Sequence, residues 1–261
     1  LFGSKILINI AFQALAFLGL YQVLRALPVD LRNRMFLLMF LPSFTLWSSI
    51  SGKDAIVVFA MGYAVGFLID LHYGRARLRL GHLVAVWIVF VFKTHYAPAL
   101  LYAFGMILIF RHVRHKAIAA LAAGAASLLP LYWLRDVVDE LSFAVAPHFE
   151  SGRSTREVFW VDQFDVFWRA PYGMFQSFMG PTMTEAMTSG NVMQIATYFE
   201  GLFIIFVLVF YAARNLPRLP VHALIFSTFS LFWILFPNYP FGILNPGSAI
   251  RYRADYGFFV F

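Results

Sequence analysis

Apolar stretches of 11 to 19 residues alternate along most of this chain with short clusters of arginine and lysine. Ile6 to Leu24, Asp54 to Ile69, Ala117 to Leu134, Gly201 to Ala213 and Val221 to Phe236 are the clearest runs, and Tyr256 onward begins another. At about 1.5 Å per residue the longer ones reach the thickness of a lipid hydrocarbon layer. Met35 to Trp47, His82 to Phe92 and Pro98 to Phe110 are shorter and read as half-helices or partial spans. Between the last two lies Lys93-Thr94-His95-Tyr96-Ala97, followed by Pro98, a sequence that breaks a helix. The run from Leu41 to Phe59 is broken in the same way, by Trp47, small hydroxyl residues and Lys53-Asp54.

One segment departs from the pattern. Residues 135–199 carry more acids than bases, and the middle, Phe159 to Gly180, is aromatic and amphipathic. Such a pattern predicts helices lying in an interface plane. The expected organisation is a single transmembrane domain over 1–261, a fragment at both ends, with 135–199 as a long extracytoplasmic loop.

Composition sharpens this reading. Hydrophobic residues make up 61% of the chain and charged ones only 13%, against about 25% charged in ordinary water-soluble domains. The formal net charge of +7 does not point to nucleic acid. Arg25, Arg32, Arg34, Arg75, Arg77, Arg79, Arg111, Arg114, Lys116, Arg214 and Arg218 fall on alternate loops, as the positive-inside rule expects of cytoplasmic loops. There is no cysteine, which excludes disulfide and thiolate chemistry. The expected fold class is an all-α polytopic membrane protein of about eight or nine transmembrane or partly spanning helices, with one long outer-face loop containing amphipathic helices.

That topology gathers the polar constellations on one face. Asp54 fits the first turn of a helix and Lys53 could snorkel, but together they could also hold and orient a phosphate. Trp47 reads as an interfacial anchor or as a wall for a lipid or sugar ring. Lys93, His95 and Tyr96 combine a cation, a group that titrates near neutrality and a phenol at a helix break. Arg251 and Arg253 precede a late apolar run, where paired guanidinium groups would suit a diphosphate. Asp162 and Asp165 are spaced to share a helical face, with Asp136, Asp139, Glu140 and Glu157 as further acids. No Walker, HExxH, zinc or nucleophile-elbow pattern is present, and no metal or cofactor is expected.

The stretch PSFTLWSSISGKDA, with KTHYAPALL and NPGSAIRYR, resembles segments of bacterial O-antigen and exopolysaccharide polymerases and of membrane glycosyltransferases that use polyprenyl-linked sugars. By position the resemblance points to Pro42, Trp47, Ser48, Ser49, Lys53, Asp54, Lys93, His95, Arg251 and Arg253. Lys93 stands where those proteins more often carry arginine. What the resemblance implies is glycosyl transfer from a polyprenyl-(di)phosphate-linked saccharide in a multi-pass protein of the bacterial inner membrane. Partners would be membrane lipids and other polysaccharide-assembly proteins. Lys53, Arg251 and Arg253 would hold the leaving diphosphate, and His95, Asp54 or Asp162 would handle the proton. Trp47, Ser49, Lys93 and Tyr96 would complete the substrate site. The rival expectations are a flippase for the same lipid-linked material and a non-catalytic subunit of a larger membrane complex.

Overall fold

The computed structural model describes residues 4–43, 45, 52–149, 156 and 160–260, of which 37, 38, 256 and 258–260 are described by backbone alone. The described residues are helical almost throughout and fall into two compact units, Leu1–Ile107 with Arg253–Phe261, and Leu108–Tyr252.

Unit one contains α1 (Lys5–Ala26), α2 (Val29–Leu38), α3 (Lys53–His72), α4 (Leu80–Phe92) and most of α5 (Ala97–His112). Its centre is α3, buried on nearly every side: 61% of its most apolar stretch lies inside the fold, against 17% for α1. Helix α1 presents one narrow face to it, the small residues Ala16, Gly19, Val23 and Ala26, spaced three and four apart. At the crossing the backbones touch through glycine. A Cβ on Gly19 would lie 2.5 Å from the Cα of Phe59, and one on Gly62 would fall into the backbone of Gly19. Only residues without side chains allow the two helices to come so close.

Helices α4 and α5 are joined by a 3-10 turn over Thr94–Tyr96 and meet at a bend of 116°. The break falls where the sequence placed it. Pro98 sits in the first turn of α5, where its missing N–H costs nothing.

Unit two runs through α6 (Lys116–Trp133), α7 (Arg135–Val145), α8 (Asp165–Trp168), α9 (Ala170–Met179), α10 (Met183–Thr188), α11 (Val192–Asn215), α12 (Val221–Leu235), α13 (Tyr239–Leu244) and the start of α14 (Pro246–Val260). Trp160, Val166, Ala170, Phe236, Tyr239, Ile243 and Leu244 form its buried aromatic core. Gly173 lets α9 settle on the ring of Tyr239, and Gly242 lets α13 settle on Ser177. Trp233 donates its indole N–H to the Ser127 hydroxyl over 2.9 Å and ties α12 to α6.

The expected fold class needs correction. Among the described residues four helices, Lys5–Ala26, Lys53–His72, Lys116–Trp133 and Val192–Arg218, are long and apolar enough to cross a membrane, or five if the bent pair counts as one span. That is half of the eight or nine expected. The overcount has a physical source: apolar runs that looked like partial spans are short helices. Met35 to Trp47 is in part the end of α2, a ten-residue helix.

Candidate functional site

The most polar place inside unit one is the corner between α4 and α5. Lys93 closes α4, and its backbone N–H completes the last turn by donating to Val89 O. The side chain is 2% exposed. Its ammonium lies 3.1 Å from Asp255 of α14 and 3.7 Å from Asp54 in the first turn of α3. Both carboxylates are buried, Asp255 completely and Asp54 to 6% exposure. Tyr96, also fully buried, donates its hydroxyl over 3.3 Å to Asp255 Oδ2, the same oxygen that the Lys93 ammonium approaches.

Each partner arrives by a local rule. Asp54 stands where a helix N-terminus favours an acid. Lys93 and Tyr96 stand where a chain leaving one helix and entering another has no full turn of backbone bonds to bury. Asp255 is the one acid of α14, following Arg251 and Arg253 on the same helix. Charges taken out of water so completely need partners, and here three elements distant in sequence supply them. Two residues before Asp255, Arg253 is also buried, at 3% exposure.

Some of the expected site residues meet at this corner. Lys93, Asp54 and Tyr96 join through Asp255, and the His95 ring packs on that of Tyr96 with centroids 4.5 Å apart. Lys53 does not join them: it is exposed at the start of α3. Arg251 and Arg253 lie two residues apart on α14. Asp162 and Arg251 belong to unit two. Trp47, Ser48, Ser49 and Glu157 lie outside the described residues.

Asp162 contributes backbone rather than carboxylate. Its N–H and that of Val161 donate to Asp165 Oδ2 at 3.1 and 2.9 Å, and Arg169 approaches the same oxygen at 3.3 Å. These two backbone donors, with Arg169, hold the Asp165 carboxyl below the usual carboxylate range. Asp139 accepts from the N–H of Phe164, a residue in the left-handed region at φ 66°. The two aspartates therefore shape the turn into α8. Among the described residues, no three His, Asp or Glu side chains gather closely enough to share a metal ion.

Two residues the sequence reading did not single out prove central. Asp255 is one; a single acid just ahead of the apolar run Gly257 to Phe261 was the available signal. Arg156 is the other. Its guanidinium meets Glu185 as a fork, Nε at 2.5 Å and Nη2 at 2.7 Å, and also donates to the carbonyls of Gly180, Gly242 and Ile243. Its backbone N–H donates to Leu244 O. Nothing local in the sequence marks it, because every partner comes from elsewhere in unit two.

No protein-family model, curated protein or solved structure matches this chain. The resemblance to polysaccharide polymerases and polyprenyl-dependent glycosyltransferases is therefore corrected: its three short motifs extend to no recognisable relative. The complex-subunit role rested on the phenylalanine-rich helices of a multi-pass membrane protein; glycosyl transfer in polysaccharide assembly and the rival lipid-linked flippase rested on that resemblance and on an eight- or nine-span topology. So did a multi-pass place in the bacterial inner membrane. With four helices of that length and apolarity among the described residues, or five with the bent pair, and no matching family or protein, those assignments are withdrawn.

Proposed function

We propose that the chain is a proton-responsive protein whose working group is the Lys93, Asp54 and Asp255 cluster. The observation that carries this reading is one buried ammonium shared by two buried carboxylates from different helices, at 3.1 and 3.7 Å. Stability alone is a weak reason for such an arrangement, since apolar side chains of the same volume often serve as well or better. What apolar side chains lack is a charge that a proton can remove.

The physical consequence is simple. When either carboxylate takes a proton, Lys93 loses one of its two negative partners. The tie between the α4–α5 corner and α14, or between the corner and α3, weakens accordingly. The other ionisable side chains at the corner are Tyr96, on Asp255, and His95, whose ring packs on Tyr96, with Lys53 exposed beside Asp54 in the chain. Only His95 among these titrates near neutrality in its ordinary range.

Amide hydrogen exchange of the full-length chain, corrected for intrinsic rates, tests the reading between about pH 8 and about pH 4. Protection in α14 and at the start of α3 falls as the pH is lowered. Asp255→Asn removes the pH dependence in α14 and leaves that helix less protected throughout, whereas His95→Gln keeps it. Protection that stays constant over the range, or a pH dependence abolished by His95→Gln alone, overturns the proposal.

A further inference from the structure

In unit two, α9, the 180–182 turn and α11 surround a half-open recess of about 190 Å³. Tyr172, Phe175, Gln176, Met179, Gly180 and Tyr198 line it. We propose that this recess binds the ring of a small monocyclic aromatic molecule that carries one polar substituent.

Size sets the first limit. An apolar protein cavity of about 150 Å³ accommodates benzene, so this recess has room for one six-membered ring. Wall chemistry sets the second. Three of the lining side chains are aromatic, from two helices, and Met179 adds a polarizable thioether. Aromatic faces and edges favour an aromatic guest over a saturated one of equal area, and sulfur does the same at the ring edge. Gln176 and Thr182 are the non-aromatic polar side chains of the lining, and an amide such as that of Gln176 can donate to or accept from a hydroxyl.

The floor is built independently of any guest. Gly180 holds φ 88°, a conformation that favours glycine, and donates its N–H to Gln176 O over 3.0 Å. Its carbonyl accepts from Arg156 Nη2 at 2.9 Å, while Glu185 accepts from the Thr182 N–H at 2.7 Å. The Arg156–Glu185 fork thus fixes both ends of the turn. A recess that needs no ordering on binding keeps more of its contact energy as affinity.

Calorimetric titration of the full-length chain with phenol, cyclohexanol and toluene tests the proposal. Phenol binds with a millimolar or lower Kd, cyclohexanol about tenfold more weakly, and toluene in between. Phe175→Ala weakens phenol about tenfold, and Gln176→Ala removes the preference for phenol over toluene. Phe175 is half exposed, so the fold survives its loss; Tyr172→Ala, at a residue as exposed, repeats the test should circular dichroism show otherwise. Undetectable phenol binding, equal affinity for cyclohexanol, or phenol binding indifferent to Phe175→Ala and Tyr172→Ala overturns it.

Discussion

Tyr96 donates its hydroxyl to Asp255, and through that one bond the 3-10 turn after α4 is joined to the C-terminal helix. Both side chains are fully buried, so water cannot replace either partner. A buried bond to a charged acceptor contributes more than a neutral one. Tyr96→Phe keeps the ring and its packing on His95 but leaves Asp255 with one donor fewer. Chemical denaturation of the variant shows a loss of about 2 kcal/mol.

Lys93 bears more of the cluster than Tyr96 does. Lys93→Met leaves Asp54 and Asp255 buried together with their shared cation gone, and removal of one partner from a buried ion pair costs about 3–5 kcal/mol. The triple variant Lys93→Met, Asp54→Asn, Asp255→Asn removes the uncompensated charges as well. It recovers most of that loss in the same denaturation measurement, because the penalty comes from unpaired buried charge and not from the missing ammonium itself.

The glycine crossing of α1 and α3 admits no side chain. Gly62→Ala places a methyl group in the backbone of Gly19, where neither helix can turn a rotamer away. The helices must separate, with a loss of about 1–3 kcal/mol. Gly105→Ala is the control: a Cβ there meets nothing within 4 Å, and in mid-helix alanine is the better residue. Thermal melts rank the two variants on opposite sides of the parent.

The Arg156–Glu185 fork gives unit two an acid-sensitive joint. Burial alone would push the Glu185 carboxyl up, but the Arg156 fork and the Thr182 N–H outweigh it and hold the group below its ordinary value of 4.5. A depressed carboxyl contributes stability that is complete above about 4.5 and is lost as pH falls through the lower folded value. Unfolding midpoints of the parent therefore drop as pH falls below about 4.5, and Glu185→Gln flattens that limb while lowering stability at neutral pH. Arg156→Lys does the same in part, because an ammonium cannot span both oxygens and three carbonyls.

Much of the helix inventory was legible in the chain, and for a local reason. Ile6 to Leu24, Asp54 to Ile69 and Ala117 to Leu134 match α1, α3 and α6 to within a few residues, since uninterrupted apolar runs bounded by charge have one economical backbone. Proline and a polar pentapeptide likewise announced the break after α4. The number of spans was not legible in this way. Whether ten or thirteen apolar residues form a short packed helix or half of a crossing depends on what they lie against, which sequence periodicity does not contain.

The site divides along the same line. Lys93, Asp54 and Tyr96 stood out in the sequence because a polar residue inside an apolar run is costly unless something receives it. Their shared partner, Asp255, and the omission of Lys53 were decided by tertiary structure alone. Arg156 shows the reason most plainly: its contacts reach Gly180, Glu185, Gly242, Ile243 and Leu244. By itself the sequence determined where helices run and which polar groups must be satisfied. Only the packing of distant segments decided which groups satisfy which, because a buried charge selects its partner by distance in space and carries no mark of it along the chain.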